Sequence, residues 1–233
     1  MHLFYSPVPV QEVNILDKEE SWHCTRVLRL AAGGRIHLTD GVGTLFECVI
    51  LNADPKKCIV KVISSEKEYL KRKNYLHIGI APTKKNDRFE WFLEKVTEIG
   101  IDEITPILCD HSERGRLKID RMQKILISAM KQSLKAYLPK LNEPSDLQKF
   151  VIRQFSGQKF IGYCESGTED ELQKIYQKGQ NALILIGPEG DFSPDEINLA
   201  KKEDFIPISL GKSRLRTETA GVVACHTILL MNS

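Results

Sequence analysis

The spacing of apolar residues changes near residue 70, and this change divides the sequence into two parts. Before it, short β-rich runs are separated by turns that contain glycine or proline. The runs cover 35–39, 45–51 and 58–64. Short strands at this spacing are typical of a small β-barrel or sandwich. We expect one short helix among them, with Ser21 as its N-cap.

Beyond a charged stretch at 66–74, apolar runs alternate with segments of helical periodicity. One helix is predicted to begin after Asn86 or Asp87 as its N-cap and to stop at Gly100, and another is predicted over 119–137 before Pro139. Capping boxes are predicted at 168–171 and 193–196. Strands are predicted at 75–81, 104–109, 160–164, 182–186 and 205–208. This alternation predicts a parallel α/β sheet, so we expect two domains, 1–70 and 71–233.

Two glycine-containing loops follow apolar runs in the last third of the chain. One loop, 187–190, comes after the run 182–186, and the other, 209–220, comes after 205–208. Open parallel sheets bind ligands at the carboxyl ends of their strands. Glycines allow close backbone approach, and helix starts offer free N–H donors. The two loops therefore predict a ligand site.

Composition and the absence of several motifs exclude some classes of ligand. The chain has 233 residues, of which 42% are hydrophobic and 27% charged, as is typical of a globular protein. Its net charge of only +2 excludes a polycation. The tail of a P-loop at 211–213 lacks the first glycine, because Ile206 stands there. The sequence has no GxGxxG after a strand, no GxSxG and no metal-ligand spacing, so we expect no metal.

The ends and cysteines of the chain bear on its location. The first residues lack the pattern of a signal peptide, and no apolar run approaches the ~20 residues that span a bilayer. Six cysteines occur without a CxxC pair, which argues against a disulfide framework. We expect a cytoplasmic protein with reduced thiols and no membrane association.

Residues 185–190 together with 210–220 resemble the C-terminal signature of the RsmE family. This family comprises SPOUT-class methyltransferases that act on N3 of a uridine in 16S, small-subunit ribosomal RNA. The resemblance extends to 23–29, 85–100 and 132–139. The chain departs from the family at Asp191, where a second glycine is usual. It also departs at Lys131 and Lys135.

The resemblance implies S-adenosyl-L-methionine as the methyl donor, and a SPOUT-type parallel sheet with a C-terminal trefoil knot. It also implies a small N-terminal PUA-like β-barrel that binds RNA, a homodimer, and 16S ribosomal RNA within the small subunit as substrate. Residues 71–140 carry fifteen Lys and Arg against nine Asp and Glu, which favours an RNA partner.

The resemblance and the chemistry of the residues together give candidate site residues. Arg216 is our candidate for the cation that stabilises the uracil anion, and Glu218 or Glu189 for the base, although positioning alone is an alternative source of the rate. The predicted catalytic pair is Arg216 and Glu218. The predicted cofactor-binding residues are Cys164, Glu165, Leu185, Ile186, Gly187, Pro188, Glu189, Gly190, Ser209, Leu210, Gly211, Arg214, Leu215, Thr219 and Ala220. The predicted RNA-binding residues are Arg26, Arg29, Lys85, Arg88, Arg114 and Arg116.

Two alternatives stay open from the sequence. One is a non-catalytic RNA-binding or ribosome-assembly protein with the same fold. The other is a SPOUT methyltransferase with another RNA target.

Overall fold

The computed structural model describes residues 1–112, 117–163 and 170–233. These residues form two compact units. The first contains Met1–Lys71 and Met130–Leu138, and the second contains Arg72–Ala129 and Pro139–Ser233. The first unit therefore includes a short segment, 130–138, that the sequence analysis assigned to the second domain.

The first unit is built on a curled five-stranded sheet. Its strands are β1 (Leu3–Tyr5), β2 (Val13–Ile15), β3 (Arg35–Thr39), β4 (Leu45–Asn52) and β5 (Ile59–Glu66). They lie in the order β1-β3-β4-β5-β2, with β1 parallel to β3 and the other pairs antiparallel. The apolar runs predicted the three central strands. The two edge strands have three residues each, which is too short for an alternating pattern.

Helix α1 (Lys18–Trp22) continues into a π-helical turn at His23–Val27. Its N-cap is Asp17, whose carboxylate accepts a hydrogen bond from the Glu20 amide at 2.8 Å. The prediction that Ser21 is the cap was wrong. The hydroxyl of Ser21 is buried within the helix, where it donates to the Leu16 carbonyl and accepts from the Cys58 amide, both at 2.9 Å.

The second unit contains a parallel sheet, as predicted. Its described strands are β6 (Leu76–Ile80), β7 (Glu103–Leu108), β8 (Lys140–Leu141), β9 (Ser145–Asp146), β10 (Gln158–Gly162), β11 (Ala182–Ile186) and β12 (Ile206–Ile208). They run in the order β12-β10-β11-β6-β7-β8, and β9 also pairs with β7. All five residues of β6 and of β11 are buried, which is typical of parallel strands covered on both faces.

Helices complete the second unit. They are α2 (Asn86–Ile99), α3 (Ile119–Gln132), α4 (Leu147–Val151), α5 (Leu172–Ile175), α6 (Pro194–Lys202) and α7 (Thr217–Asn232). Residues 130–132 at the end of α3 belong to the first unit.

Helix α2 stops at Gly100, as predicted, but its N-cap position is held by Lys85 without a side-chain hydrogen bond, so the prediction of Asn86 or Asp87 as the cap was wrong. The capping box at Ser193 makes both of its hydrogen bonds. Two residues of the capping box predicted at 168–171, 168 and 169, lie outside the described residues. Helix α5 begins at Leu172, and Glu171 occupies its N-cap position without a side-chain capping hydrogen bond. Helix α3 ends five residues earlier than predicted, and Leu134 beyond it adopts a left-handed conformation with φ 56°.

Candidate functional site

The loops that follow β11 and β12 line one cavity at the carboxyl edge of the parallel sheet. Strand β10 lies between these two strands, and Gly162 and Tyr163 at its end contribute to the same cavity. The cavity has a volume of about 740 Å³. Because all three strands are parallel, their carboxyl ends meet at one edge, where open α/β sheets bind ligands.

Most of the predicted cofactor-binding residues surround this cavity, which we call the loop cavity. Those that line it are Ile186, Gly187, Pro188, Glu189, Ser209, Leu210, Gly211, Arg214, Leu215 and Ala220. Leu185 lies instead in the buried core, Gly190 lies beside His111, and Thr219 lines a neighbouring cavity. Cys164 and Glu165 lie outside the described residues. The binding role of all these residues stays a prediction.

A hydrogen bond that the sequence did not predict joins the two loops. The hydroxyl of Thr217 donates to the carbonyl of Gly187 at 3.0 Å, and both residues are buried. Arg216 occupies the N-cap position of α7, and Thr217 is the first residue of the helix. Thr217 therefore fixes the start of α7 against the loop after β11.

Backbone conformation or close packing explains three positions in or beside the loops. Gly211 has φ 119°, and a Cβ there would meet no atom within 4 Å. Glycine is therefore favoured at this position by the backbone conformation and not by lack of space. At Gly187 a Cβ would lie 3.0 Å from the ring of Phe192. Asp191 has φ 63°, a left-handed conformation that glycine adopts freely and that Asp tolerates. The departure from the family's usual glycine at this position is therefore compatible with the same turn.

The segment after β7 also contacts the first loop. His111 Nδ1 lies 3.1 Å from the carbonyl oxygen of Gly190 and 3.0 Å from that of Asp191, so the tautomer with a proton on Nδ1 donates to them. Beside it, Ser193 Oγ donates to Asp110 at 2.7 Å. Sequence reasoning missed His111, because a single histidine after a strand carries no spacing signal.

A second cavity of about 570 Å³ adjoins the same loop, and we call it the helix cavity. Its lining comes from the start of α2, from residues 214–216 and from the start of α7. The residues are Asp87, Arg88, Trp91, Arg214, Leu215, Arg216, Glu218 and Thr219. Residues 214–216 line both cavities, so the two spaces share one wall.

The predicted catalytic residues both border the helix cavity. Arg216 is exposed, whereas only 8% of the Glu218 side chain is exposed. Glu218 Oε1 lies 3.7 Å from Arg88 Nε, a long ion pair. Glu218 Oε2 is buried and has no hydrogen-bond partner among the described residues. A buried carboxylate oxygen without a donor is unfavourable, so a donor brought within its reach would stabilise it.

The predicted RNA-binding residues are spread over both units. Arg26 and Arg29 are exposed on the first unit, and Lys85 is exposed at the N-cap of α2 in the second. Arg88 is only partly exposed, because it faces Glu218. Arg114 and Arg116 lie outside the described residues.

No group of three or more His, Cys, Asp or Glu side chains within 1–112, 117–163 and 170–233 is arranged to hold a metal ion. In the same ranges, no helix has both the length and the apolar character needed to cross a membrane.

Family comparisons agree with this architecture. The family model described as the RNA methyltransferase domain matches residues 71–229, and the RNA methyltransferase PUA domain matches residues 16–63. The larger match covers more than half of the chain and includes both loops and both cavities. The chain is therefore an RNA methyltransferase by family.

Individual relatives identify the family more closely. A curated relative, ribosomal RNA small subunit methyltransferase E of Buchnera aphidicola, is 30% identical over 93% of this chain and 87% of its own length. The chain belongs to the ribosomal RNA small subunit methyltransferase E family, in agreement with the resemblance found in the sequence.

Solved structures show the same fold. A probable rRNA-methyltransferase from Porphyromonas gingivalis is 44% identical, with a TM-score of 0.91 over 99% of both chains. A protein from Legionella pneumophila, solved with the bound cofactor SAM, is 27% identical, with a TM-score of 0.88 over 99% of this chain and 97% of that one.

Proposed function

We propose that this protein transfers a methyl group from S-adenosyl-L-methionine to N3 of a uridine in 16S ribosomal RNA. The observation that carries the proposal is the loop cavity, which the family's two signature loops form together at the carboxyl edge of the sheet. The curated relative is a small-subunit ribosomal RNA methyltransferase, and the Legionella protein contains bound SAM.

The residues of the loop cavity fit this cofactor. Its volume of about 740 Å³ lies within the usual range for small-molecule sites. Ile186, Leu210 and Leu215 offer apolar walls for the adenine ring, and Glu189 offers a carboxylate to the cationic end of the molecule. S-adenosyl-L-methionine supplies a methyl group on a positively charged sulfur, which is transferred without any metal.

The chemistry at uracil needs the loss of the N3 proton. We assign Glu218 as the group that accepts this proton, because its free Oε2 faces no described donor and its side chain borders the helix cavity. Glu189, the alternative, is exposed and lines only the loop cavity among the described cavities. Arg216 lines both cavities and stabilises the negative charge that develops on the base.

Three finer features complete the proposal. Residues 1–70 form the RNA-binding PUA-like barrel and 71–233 the SPOUT methyltransferase domain, in which the loops after β11 and β12 belong to a trefoil knot. The strand order, with β10 between β11 and β12, supports the knot. A ribosomal RNA substrate and six cysteines without a CxxC pair favour a cytoplasmic location.

We further propose a homodimer through α7. Gly221 and Ala224 are buried within the protein's own second unit, so they do not form the contact between copies. Val222 and Val223 are partly exposed, and Leu230 is 62% exposed on the same helix. Light scattering at micromolar concentration should give a dimer, and Leu230→Glu should weaken it; a monomeric wild-type protein would refute the proposal.

The decisive experiment is methyl transfer to small ribosomal subunits from a strain that lacks the enzyme, followed by mapping of N3-methyluridine. Arg216→Ala should slow single-turnover transfer by ~10²–10³, the usual effect of losing one preorganised donor, while both ligands still bind. Lys202→Ala, an exposed cation on α6, is the control and should keep wild-type rates. Transfer by Arg216→Ala at the wild-type rate would remove Arg216 from the mechanism.

A further inference from the structure

An exposed tryptophan lies in the helix cavity. The chain has only two tryptophans. One of them, Trp91 on α2, lines the helix cavity and is 43% exposed. An indole ring contributes most to binding energy when other groups cover its faces, so an exposed ring leaves a face free for a ligand. Proteins that bind single-stranded nucleic acids stack the bases on such rings. The ring of Trp91 is therefore an available stacking surface next to two residues with predicted catalytic roles.

The polar groups of the helix cavity match a base that carries both a donor and acceptors. Glu218 Oε2 is a buried acceptor without a donor among the described residues. Arg88 and Arg216 are donors that line the same cavity. Uracil presents one ring N–H, at N3, between two carbonyl oxygens. A carboxylate opposite N3 with guanidinium groups to either side would satisfy that pattern of hydrogen bonds.

We propose that the helix cavity receives the target uracil, with Trp91 stacked on one face of the base and N3–H directed to the Glu218 carboxylate. Enzymes that modify a base in RNA or DNA take it out of its stack and hold it between aromatic or apolar groups. Since residues 214–216 line both cavities, a base in the helix cavity lies across one loop from the methyl donor. This inference rests on the proposed function and adds the location of the substrate base.

The same arrangement accounts for discrimination between pyrimidines. Cytosine presents a lone pair at N3 instead of a proton, so it would face the Glu218 carboxylate with no hydrogen bond and with electrostatic repulsion. N3-methyluracil has lost the donor too, which favours release of the product. A site built around a hydrogen bond rejects analogues that lack the donor much more strongly than an apolar pocket does.

The first test is kinetic. Methyl transfer to small subunits should require roughly 10- to 100-fold more RNA for half-saturation in Trp91→Ala, the usual range for loss of one base-stacking contact. Trp91→Phe keeps an aromatic face and should retain most of the affinity. Ile152→Ala truncates another exposed apolar side chain of the second unit and should behave as wild type. Calorimetric affinity for S-adenosyl-L-methionine should be unchanged in all three.

The second test observes the ring directly. In a Trp22→Phe protein, Trp91 is the only tryptophan, so its fluorescence should be quenched by an oligocytidine that contains one central uridine. The all-cytidine oligonucleotide should quench it less. Equal quenching by the two oligonucleotides would overturn the discrimination, and absence of quenching together with wild-type half-saturation in Trp91→Ala would overturn the site.

Two outcomes separate this inference from the proposed function and from a structural role. If the wild-type protein transfers no methyl group but uridine quenches Trp91, the proposed function fails and the base site stands. If Trp91→Ala is monomeric in light scattering while the wild type is dimeric, the ring belongs to a contact between copies and the inference is overturned.

Discussion

Replacing Thr217 with valine tests whether one hydrogen bond organises the cofactor site. The substitution keeps the branched shape at Cβ and removes the hydroxyl that donates to the Gly187 carbonyl at 3.0 Å. Both residues are buried, so the carbonyl would lose this donor in a place that water reaches poorly. Leaving a buried polar group unpaired costs about 1–3 kcal/mol.

This cost should appear in cofactor binding, because the bond joins the two loops that line the loop cavity. If the two loops separate in free Thr217→Val, the cofactor must bring them together when it binds. The cost then divides between a lower free energy of unfolding and a weaker affinity for the cofactor. An effect of about 1.4 kcal/mol on binding is tenfold in Kd. We therefore expect calorimetry to show roughly a 10-fold loss of S-adenosyl-L-methionine affinity in Thr217→Val, with at most a slight loss in Thr217→Ser.

The contrast between the two variants decides the question. Thr217→Ser keeps the donor and loses only a methyl group, so it controls for packing. If Thr217→Val lowers the free energy of unfolding but binds the cofactor within twofold of the wild type, the bond supports the fold and does not organise the site.

The remaining predictions concern packing, backbone and pH. In Gly221→Ala the new Cβ would lie 2.5 Å from Phe92, so urea unfolding should show a loss of about 1–3 kcal/mol. Gly211→Ala places a side chain at φ 119° and should weaken cofactor binding by calorimetry, although no atom obstructs the Cβ. Burial lowers the pKa of His77 from 6.5 to about 4, although Glu103 opposes the shift. The unfolded chain therefore binds the extra proton, and stability should fall by about 1.5 kcal/mol from pH 6.5 to 5, a loss that His77→Gln should reduce in urea titrations at the two pH values.

Sequence alone predicted the features whose signals are local. Apolar runs followed by glycines placed the two loops at strand ends, and the capping box at Ser193 has both of its partners within four residues. The start of α1 was missed even though its signal is local as well. Asp17 and Ser21 are both good caps, and the choice depends on which side chain finds a buried partner, here Ser21 with Cys58.

Contacts between residues far apart in the chain could not be predicted from the sequence. Thr217 and Gly187 are thirty residues apart, and His111 is about eighty residues from the loop that it contacts. Only the folded sheet brings them together. The early end of α3 lacked a signal for a similar reason, since Leu134 adopts a left-handed conformation that its residue type does not favour.

The start of α7 explains how one short segment can serve both cavities. Successive residues of a helix project about 100° apart, so neighbours in sequence face different surroundings. Arg216 borders both cavities, Thr217 bonds to the loop after β11, and Glu218 faces the helix cavity. A change that displaces the start of α7, such as Thr217→Val, should therefore reduce cofactor affinity and methyl transfer together. A change at Trp91, which lies on α2, should reduce use of RNA alone. Thr217→Val therefore tests the placement of the methyl donor, and Trp91→Ala tests the placement of the base.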